Sequence, residues 1–413
     1  MTDLQIGIRG GAIGVLLFLL LIPDFLFPCT VGVVSGRSTP DGRPLLWKNR
    51  DTSDPDNKLV YIRASGHAFI AVVNASDNQA RSIWQGLNER GFAIINSLSR
   101  DLAPGPRDYF GNGLFMRLAL ETCADVKEFE ALLKKTNGSR KVAANYGVID
   151  AHGRACFYET GADGYARFDA DDPRVAPQGY IIRTNYAFTA PPETQGGGYI
   201  RFERASHLFQ RAASEQNLDL RFILRRAARD LANEKLHSDP MSQSPGGDPG
   251  RPLYVRTNDT INRASTMSVS VIHGAPGPDR PDLATMWTLL GQPVCGVALP
   301  LWVASGSVPD ALTGSDTAPL CDLARELADW LYPDQRANMR QYLNLTRLLG
   351  FEGEGIPARL FSIEDRIMQE TGEALSRWTQ SAPDAGEIAD FQNRTSRNAY
   401  SALRETFSSI LRR

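Results

Sequence analysis

The period of apolar and polar positions changes several times along the chain. A β-branched run from Thr30 to Gly36, turn residues at Thr39-Pro40-Asp41-Gly42, and a returning segment from Pro44 to Asp51 predict a hairpin whose first residue is Cys29. Leu59 to Ile62, Ala68 to Val73, Ser82 to Gln85 and Gly91 to Leu98 read as further strands. Asn112 to Lys135 takes up helical spacing, with Leu114, Leu118, Ala119, Phe129, Leu132 and Leu133 as its apolar stripe. Tyr146 to Ile149 and Ala155 to Thr160 form a second hairpin about Asp150-Ala151-His152-Gly153, and Tyr180 to Thr184 is a strand ending at Asn185. Tyr199 to Leu236 is helical, Ser238 to Pro252 is a polar Pro/Gly/Ser loop, and Thr266 to His273 and Ala284 to Leu290 return to strand. From Pro309 onward the pattern is mostly amphipathic helix, as in Leu320 to Tyr332 and Asp334 to Leu349. Strands, a helical stretch, then strands again predict an α+β protein with sheets packed face to face.

Residues 1–28 stand apart. Arg9 is their only positive side chain, and Ala12 to Ile22 is an unbroken apolar or small run. Eleven residues make about 16 Å of helix, roughly half a hydrocarbon core. Pro23, Asp24 and Pro28 interrupt any extension. The segment has the pattern of a secretory signal peptide, which implies export to the periplasm or cell exterior after its removal; retained, it would be a short membrane anchor. Leu26 and Pro28 do not supply the small residues that signal peptidases favour. Self-cleavage of the Pro28–Cys29 bond is a further route to the same product.

Composition narrows the function. Forty-five basic against 47 acidic side chains leave a net charge of −2 over 413 residues, so no basic field is available for nucleic acid, and membrane contact is expected only through residues 1–28. The five cysteines (Cys29, Cys123, Cys156, Cys295, Cys321) contain no CxxC, and the five histidines have no metal spacing. No metal or other cofactor is expected.

Cys29 is different chemically. With residues 1–28 removed, it carries a thiol and a free α-amine together. The thiol is nucleophilic as thiolate, and an α-amine with a reference pKa of about 7.7–8.0 can take its proton near neutrality. Asp51, on the paired strand, would come back beside Cys29 to fix that amine.

These residues resemble the N-terminal nucleophile (Ntn) hydrolases of the linear-amide group, which include conjugated bile acid hydrolase, penicillin V acylase, acid ceramidase and the isopenicillin N acyltransferase family. The resemblance lies in Cys29-Thr30, the Pro40-Asp41-Gly42 turn, and Lys48-Asn49-Arg50-Asp51, with Lys48 where the hydrolases usually carry Arg. Gly86-Leu87-Asn88-Glu89-Arg90-Gly91 followed by a strand ending in Asn96 is similar to a family turn and strand, which implies an oxyanion role for Asn96. Arg183-Thr184-Asn185-Tyr186 is similar to the Thr-Asn-Tyr stretch of the ceramidase and acyltransferase branches, which implies a catalytic Asn185. Asn262 to Ser268 resembles the stretch whose arginine precedes a late core strand, making Arg263 the candidate arginine, with Arg201 or Arg204 as alternatives. The resemblance spans roughly Cys29 to Leu290.

The resemblance implies a four-layer αββα sandwich over residues 29–308 with a mostly helical C-terminal extension over 309–413. It implies an amidohydrolase that cleaves the C–N bond of a small N-acyl amide through a thioester on Cys29. Asn185 and Asn96 would serve the oxyanion, Asp51 the α-amine, and Lys48 or Arg263 the local field. An acyltransferase would use the same acyl-enzyme. A membrane-tethered binding protein on the same scaffold is the alternative from another class. Tyr109, Phe110 and Phe188, in the segments 101–113 and 187–198, point to an apolar acyl group.

Overall fold

The computed structural model describes residues 29–411 except 64, 100, 103–109, 192–195, 243–250, 334–340 and 351–354. The segment 1–28, the Tyr109 side of one loop and the start of the Asp334 to Leu349 stretch therefore lie outside the described residues.

Among the described residues, fifteen strands fall into two large antiparallel sheets and a small one. Sheet A combines β1 (Thr30–Val34), β2 (Leu45–Asp51), β10 (Tyr180–Arg183), β12 (Thr266–His273), β13 (Thr285–Leu290) and β14 (Leu299–Leu301) in the order β10-β1-β2-β12-β13-β14. Sheet B runs in chain order from β3 (Asn57–Ile62) through β4 (Phe69–Asn74), β5 (Gln85–Asn88), β6 (Ala93–Leu98), β7 (Ala144–Ile149) and β8 (Ala155–Thr160) to β9 (Tyr165–Asp169).

Alternation along the strands dictates how these sheets meet. Val31, Val33 and Leu46 of sheet A share one buried cluster with Ile70, Val72, Ile95 and Phe157 of sheet B. The sheets approach closely at Gly147, where a Cβ would stand 2.8 Å from Val33 Cγ2, so any larger residue there would push them apart. The opposite face of sheet B is covered by α1 (Phe110–Thr122) and α2 (Val126–Lys135), whose Phe115 and Phe129 pack on Tyr146 and Tyr158 with ring centroids 5.6 and 5.3 Å apart. The opposite face of sheet A is covered by α3 (Tyr199–Ser214), where Phe209 stacks on Trp47 at 5.4 Å. Each such buried side chain contributes about 1.5–3 kcal/mol. The result is the expected helix–sheet–sheet–helix sandwich.

Several elements differ from the sequence pattern. The 112–135 stretch is two helices, because Asp125 leaves helical geometry to cap α2 by accepting from Glu128 N at 2.9 Å. The 199–236 stretch stops at Ser214. Gln216 then adopts φ +55, and Asp219 caps a short α4 (Leu220–Phe222) that widens into a π-turn over Ile223–Ala227. Among the described residues of the stretch read as helix over 334–349, Tyr342–Asn344 is a strand, β15, paired antiparallel with β11 (Tyr254–Arg256), and α6 (Leu345–Leu349) is helical. Cross-strand pairing overrode an amphipathic pattern there.

The rest of the tail is α5 (Pro319–Leu331), α7 (Ile356–Gln380), α8 (Ala385–Thr406) and α9 (Ser408–Leu411). It shares the main core: Leu323, Leu327, Leu360 and Leu403 belong to the same buried cluster as the sheet A strands. Glu364 of α7 ties it further, pairing with Arg229 at 2.6 Å while both are almost fully buried. No helix among the described residues is long and apolar enough to cross a membrane.

Candidate active site

Cys29 immediately precedes β1 and is buried. In the hairpin, Thr30 faces Asn49 and Val31 faces Lys48, so extending the register by one pair sets Cys29 opposite Arg50, with Asp51 one residue beyond. Alternation then sorts the β2 side chains. Trp47, Asn49 and Asp51 point toward the α3 layer, where Asn49 Nδ2 donates to the Ala228 carbonyl at 2.8 Å. Lys48 and Arg50 point toward sheet B. The end of this hairpin therefore presents two groups of polar side chains, one on each face.

On the helical side, Asp51 is buried against β12. Thr266 Oγ1 donates to its Oδ1 at 2.6 Å, and Arg263 Nη1 stands 3.4 Å from its Oδ2. Burial pushes the Asp51 carboxyl above its ordinary value, against the pull of Arg263 and Arg201. Arg201, on the buried face of α3, donates through Nη1 to the Cys29 carbonyl and to Thr30 Oγ1, each at 2.7 Å. Its Nη2 donates to Asn185 Oδ1 at 2.9 Å. Asn185 Nδ2 donates in turn to the Leu98 carbonyl at 2.9 Å, at the end of β6. Gly198 makes this possible: it starts α3 at φ +87, and a Cβ there would collide with the Arg201 guanidinium and with Thr184.

On the inter-sheet side, Lys48 is fully buried, and its ammonium reaches across to sheet B. It donates to the Trp84 carbonyl at 2.8 Å and to Asn96 Oδ1 at 2.6 Å, one position beyond the last β5–β6 pair, Gln85 with Ile95. Burial brings the Lys48 pKa down to about 8, with the Cys29 thiol acting in the opposite sense. Arg50 donates to the side-chain oxygens of Asn57 and Asn74 and lies over the Trp84 ring. Burial lowers it to about 10, again opposed first by Cys29.

All six residues singled out in the sequence thus gather at the start of β1 or link to it: Cys29, Asp51, Asn185, Asn96, Lys48 and Arg263. Of the two alternative arginines, Arg201 is in the site. Arg204, one turn along α3, is bound instead to Asp230 at 2.7 Å and Glu234 at 2.9 Å. Sequence reasoning gave no role to Thr30, Thr266 or Arg50. Thr30 stood in the Cys29-Thr30 motif, and Arg50 left a sign as a cation two residues from Lys48 and hence on the same strand face. Asn88 of the glycine-flanked turn is structural: its Nδ2 donates to the Leu120 and Cys123 carbonyls at the end of α1, and its Oδ1 accepts from Phe92 N. The remaining cysteines are buried thiols whose surroundings disfavour the thiolate. Burial pushes Cys123 and Cys156 up to about 12 and Cys321 to about 11.

The αββα sandwich, with a buried cysteine immediately before its first strand, is of the Ntn-hydrolase fold class. Residues 37–242, just under half of the chain, match the family described as acyl-coenzyme A:6-aminopenicillanic acid acyl-transferase, which makes this stretch similar to the linear-amide group of Ntn hydrolases. Its class is that of Ntn amidohydrolases and acyltransferases. A search of curated proteins found no match. Among solved structures, a mutant conjugated bile acid hydrolase from Clostridium perfringens is similar at 13% identity and TM-score 0.41, over 66% of this chain and 92% of that one. The N-acylethanolamine-hydrolyzing acid amidase ortholog of Caenorhabditis elegans is similar at 14% identity and TM-score 0.40, over 63% and 99%. Penicillin V acylase from Agrobacterium tumefaciens is similar at 12% identity and TM-score 0.40, over 66% and 86%.

Proposed function

We propose that the protein is a cysteine amidohydrolase that cleaves the linear amide bond of a small N-acyl substrate through a thioester on Cys29. The observation that carries this reading is the double grip of Arg201, which holds the Cys29 main chain and the Asn185 carboxamide from one guanidinium. Nucleophile and oxyanion donor must keep a fixed relation, and a shared rigid anchor provides it.

In this reading, residues 1–28 are an export segment whose removal frees the Cys29 α-amine. The amine takes the thiol proton, and the thiolate attacks the acyl carbon. Asn185 and Asn96 donate to the oxyanion. The C–N bond breaks as the protonated amine returns its proton to the leaving nitrogen, leaving a thioester. Water then adds, the carboxylic acid departs, and the thiol is restored. Asp51 and its partners Thr266 and Arg263 hold the amine and balance its charge. The family match favours a second reading, in which an amine acceptor replaces water and the acyl group is transferred.

Intact-mass measurement combined with an N-acyl amide panel tests this. Turnover is expected only from chains that begin at Cys29, with the acyl group trapped on that residue during turnover. Full activity in a preparation retaining residues 1–28 would overturn the reading. Adding acceptor amines to the same assay separates transfer from hydrolysis.

A further inference from the structure

An ammonium can only donate hydrogen bonds, so its contacts fix which way a neighbouring carboxamide points. Lys48 uses two of its protons on the Trp84 carbonyl and on Asn96 Oδ1. Asn96 Oδ1 is thereby held toward Lys48, which turns Nδ2 the other way, and that nitrogen has no hydrogen-bond partner among the described residues. A carboxamide with its oxygen pinned and its nitrogen unspent is set up as an oxyanion donor. The pin is a lysine, and a lysine can lose its charge.

We infer that Lys48 is the positioning residue for Asn96, locking the carboxamide in its donating orientation while the ammonium, which cannot accept, excludes the flipped one, so that catalysis acquires an alkaline limit set by Lys48. This rests on the amidohydrolase reading and adds to it a pH control specific to a lysine. A neutral Lys48 keeps two N–H groups, enough for both of these acceptors, but its new lone pair can also accept from Asn96 Nδ2; the turned-over amide then competes, and in that fraction of molecules one oxyanion donor is lost.

The surroundings bring this within reach of moderate pH. Lys48 has no carboxylate within ion-pair distance among the described residues. On its own strand it is flanked by Arg50, which disfavours its charge, and by Asp51, which favours it; from the start of β1, Cys29 favours it. Across the sheet, β12 places neutral Ser270 opposite it, and sheet B offers the neutral Trp84 carbonyl and Asn96. Burial dominates, and the group titrates near 8. The Cys29 amine governs the other limb, because it must be free to take a proton.

The test is the pH profile of kcat in the mature enzyme and two variants. The wild type should lose kcat as pH rises past about 8. Lys48→Arg, which stays charged across the accessible range, should carry the plateau at least one pH unit further. Lys48→Met should lower kcat by about 10²-fold or more, with KM changed less than threefold and no alkaline limb left. A second measurement needs no turnover: in protein labelled at asparagine side-chain amides, the Asn96 resonance should titrate near pH 8 in the wild type and stay fixed in Lys48→Met. An unchanged alkaline limb in Lys48→Arg, a Lys48→Met enzyme within threefold of wild-type kcat, or an Asn96 resonance indifferent to pH would each overturn the inference. A titrating Asn96 in a protein that cleaves no N-acyl amide would instead sustain the link and reject the amidohydrolase reading.

Discussion

Arg201 donates to Asn185 Oδ1 at 2.9 Å from the same guanidinium that holds the Cys29 carbonyl. Burial lowers its pKa only to about 10, so it stays charged at any pH the enzyme would meet. Replacing it with methionine leaves three buried acceptors without their donor: the Cys29 carbonyl, Thr30 Oγ1 and Asn185 Oδ1. Arg201→Met should cost about 2–3 kcal/mol in urea unfolding and about 10²–10³ in kcat. Lysine at this position cannot reproduce the fork, so Arg201→Lys should recover stability more than kcat. Equal recovery of both would mean that Arg201 only supports the fold.

Removing the sulfur should separate chemistry from folding. Among the described residues, the hydrogen bond that anchors Cys29 uses its carbonyl, which alanine keeps. In protein whose first residue is position 29, Cys29→Ala should abolish amide cleavage while the melting temperature moves by less than about 4–8 °C, the shift expected for 1 kcal/mol in a small domain and more than a chain this size should show. A Cys29→Ala protein that still turns over substrate would place the nucleophile elsewhere.

The hairpin from Cys29 to Asp51 was legible in the sequence because a β-branched run, a Pro-Asp-Gly turn and a returning strand are local signals. The same holds for Asn185 at the end of its strand. Arg201 and Arg263 could not be ranked from sequence. Their roles depend on α3 lying over sheet A and on β12 pairing with β2, both contacts between distant segments. Thr266 was invisible for the same reason, since only the pairing with Asp51 gives it a function. The tail read only as a helical extension to the sandwich, because amphipathic helices do not by themselves say which apolar surface they cover. That their apolar faces complete the sheet A core is a tertiary fact.

Asp51 is held by Thr266 and faces two arginines. Asp51→Asn keeps the shape and removes the charge. The α-amine of a chain beginning at Cys29 would then lose its nearest anion and its preference for the protonated form. The acidic limb of the kcat–pH profile should move to lower pH, and kcat should fall by at least about 10²-fold. An acidic limb unmoved by Asp51→Asn would dissociate this carboxylate from the amine.

The C-terminal helices can be tested through Glu364. Its carboxylate receives two bonds from Arg229 and one from Ala298 N, with Arg229 further tied to the Pro293, Leu224 and Gly296 carbonyls. Glu364→Ala leaves a buried guanidinium without its counter-ion and should cost about 3–5 kcal/mol, far more than an exposed pair would. Exchanging both partners together, Arg229→Met with Glu364→Leu, should recover most of that loss. If the single variant unfolds at the wild-type denaturant midpoint, the tail is not part of the cooperative unit.

Lys48 also ties stability to pH, and the direction follows from its lowered pKa. The unfolded chain binds this proton up to about 10.5 and the folded chain only up to about 8. Between these values the unfolded state carries more protons, so stability rises with pH across the window. Below pH 8 both states are protonated, and the folded protein bears the full cost of a buried ammonium, on the order of 3 kcal/mol. Lys48→Met has no such proton. The difference in unfolding free energy between the two proteins should therefore shift in favour of the wild type as pH is raised from 7.5 toward 10.5. Taking the difference cancels titrations common to both chains. Urea unfolding of the pair across that range measures it, and a difference that does not change with pH would show that Lys48 keeps its ordinary pKa despite its burial.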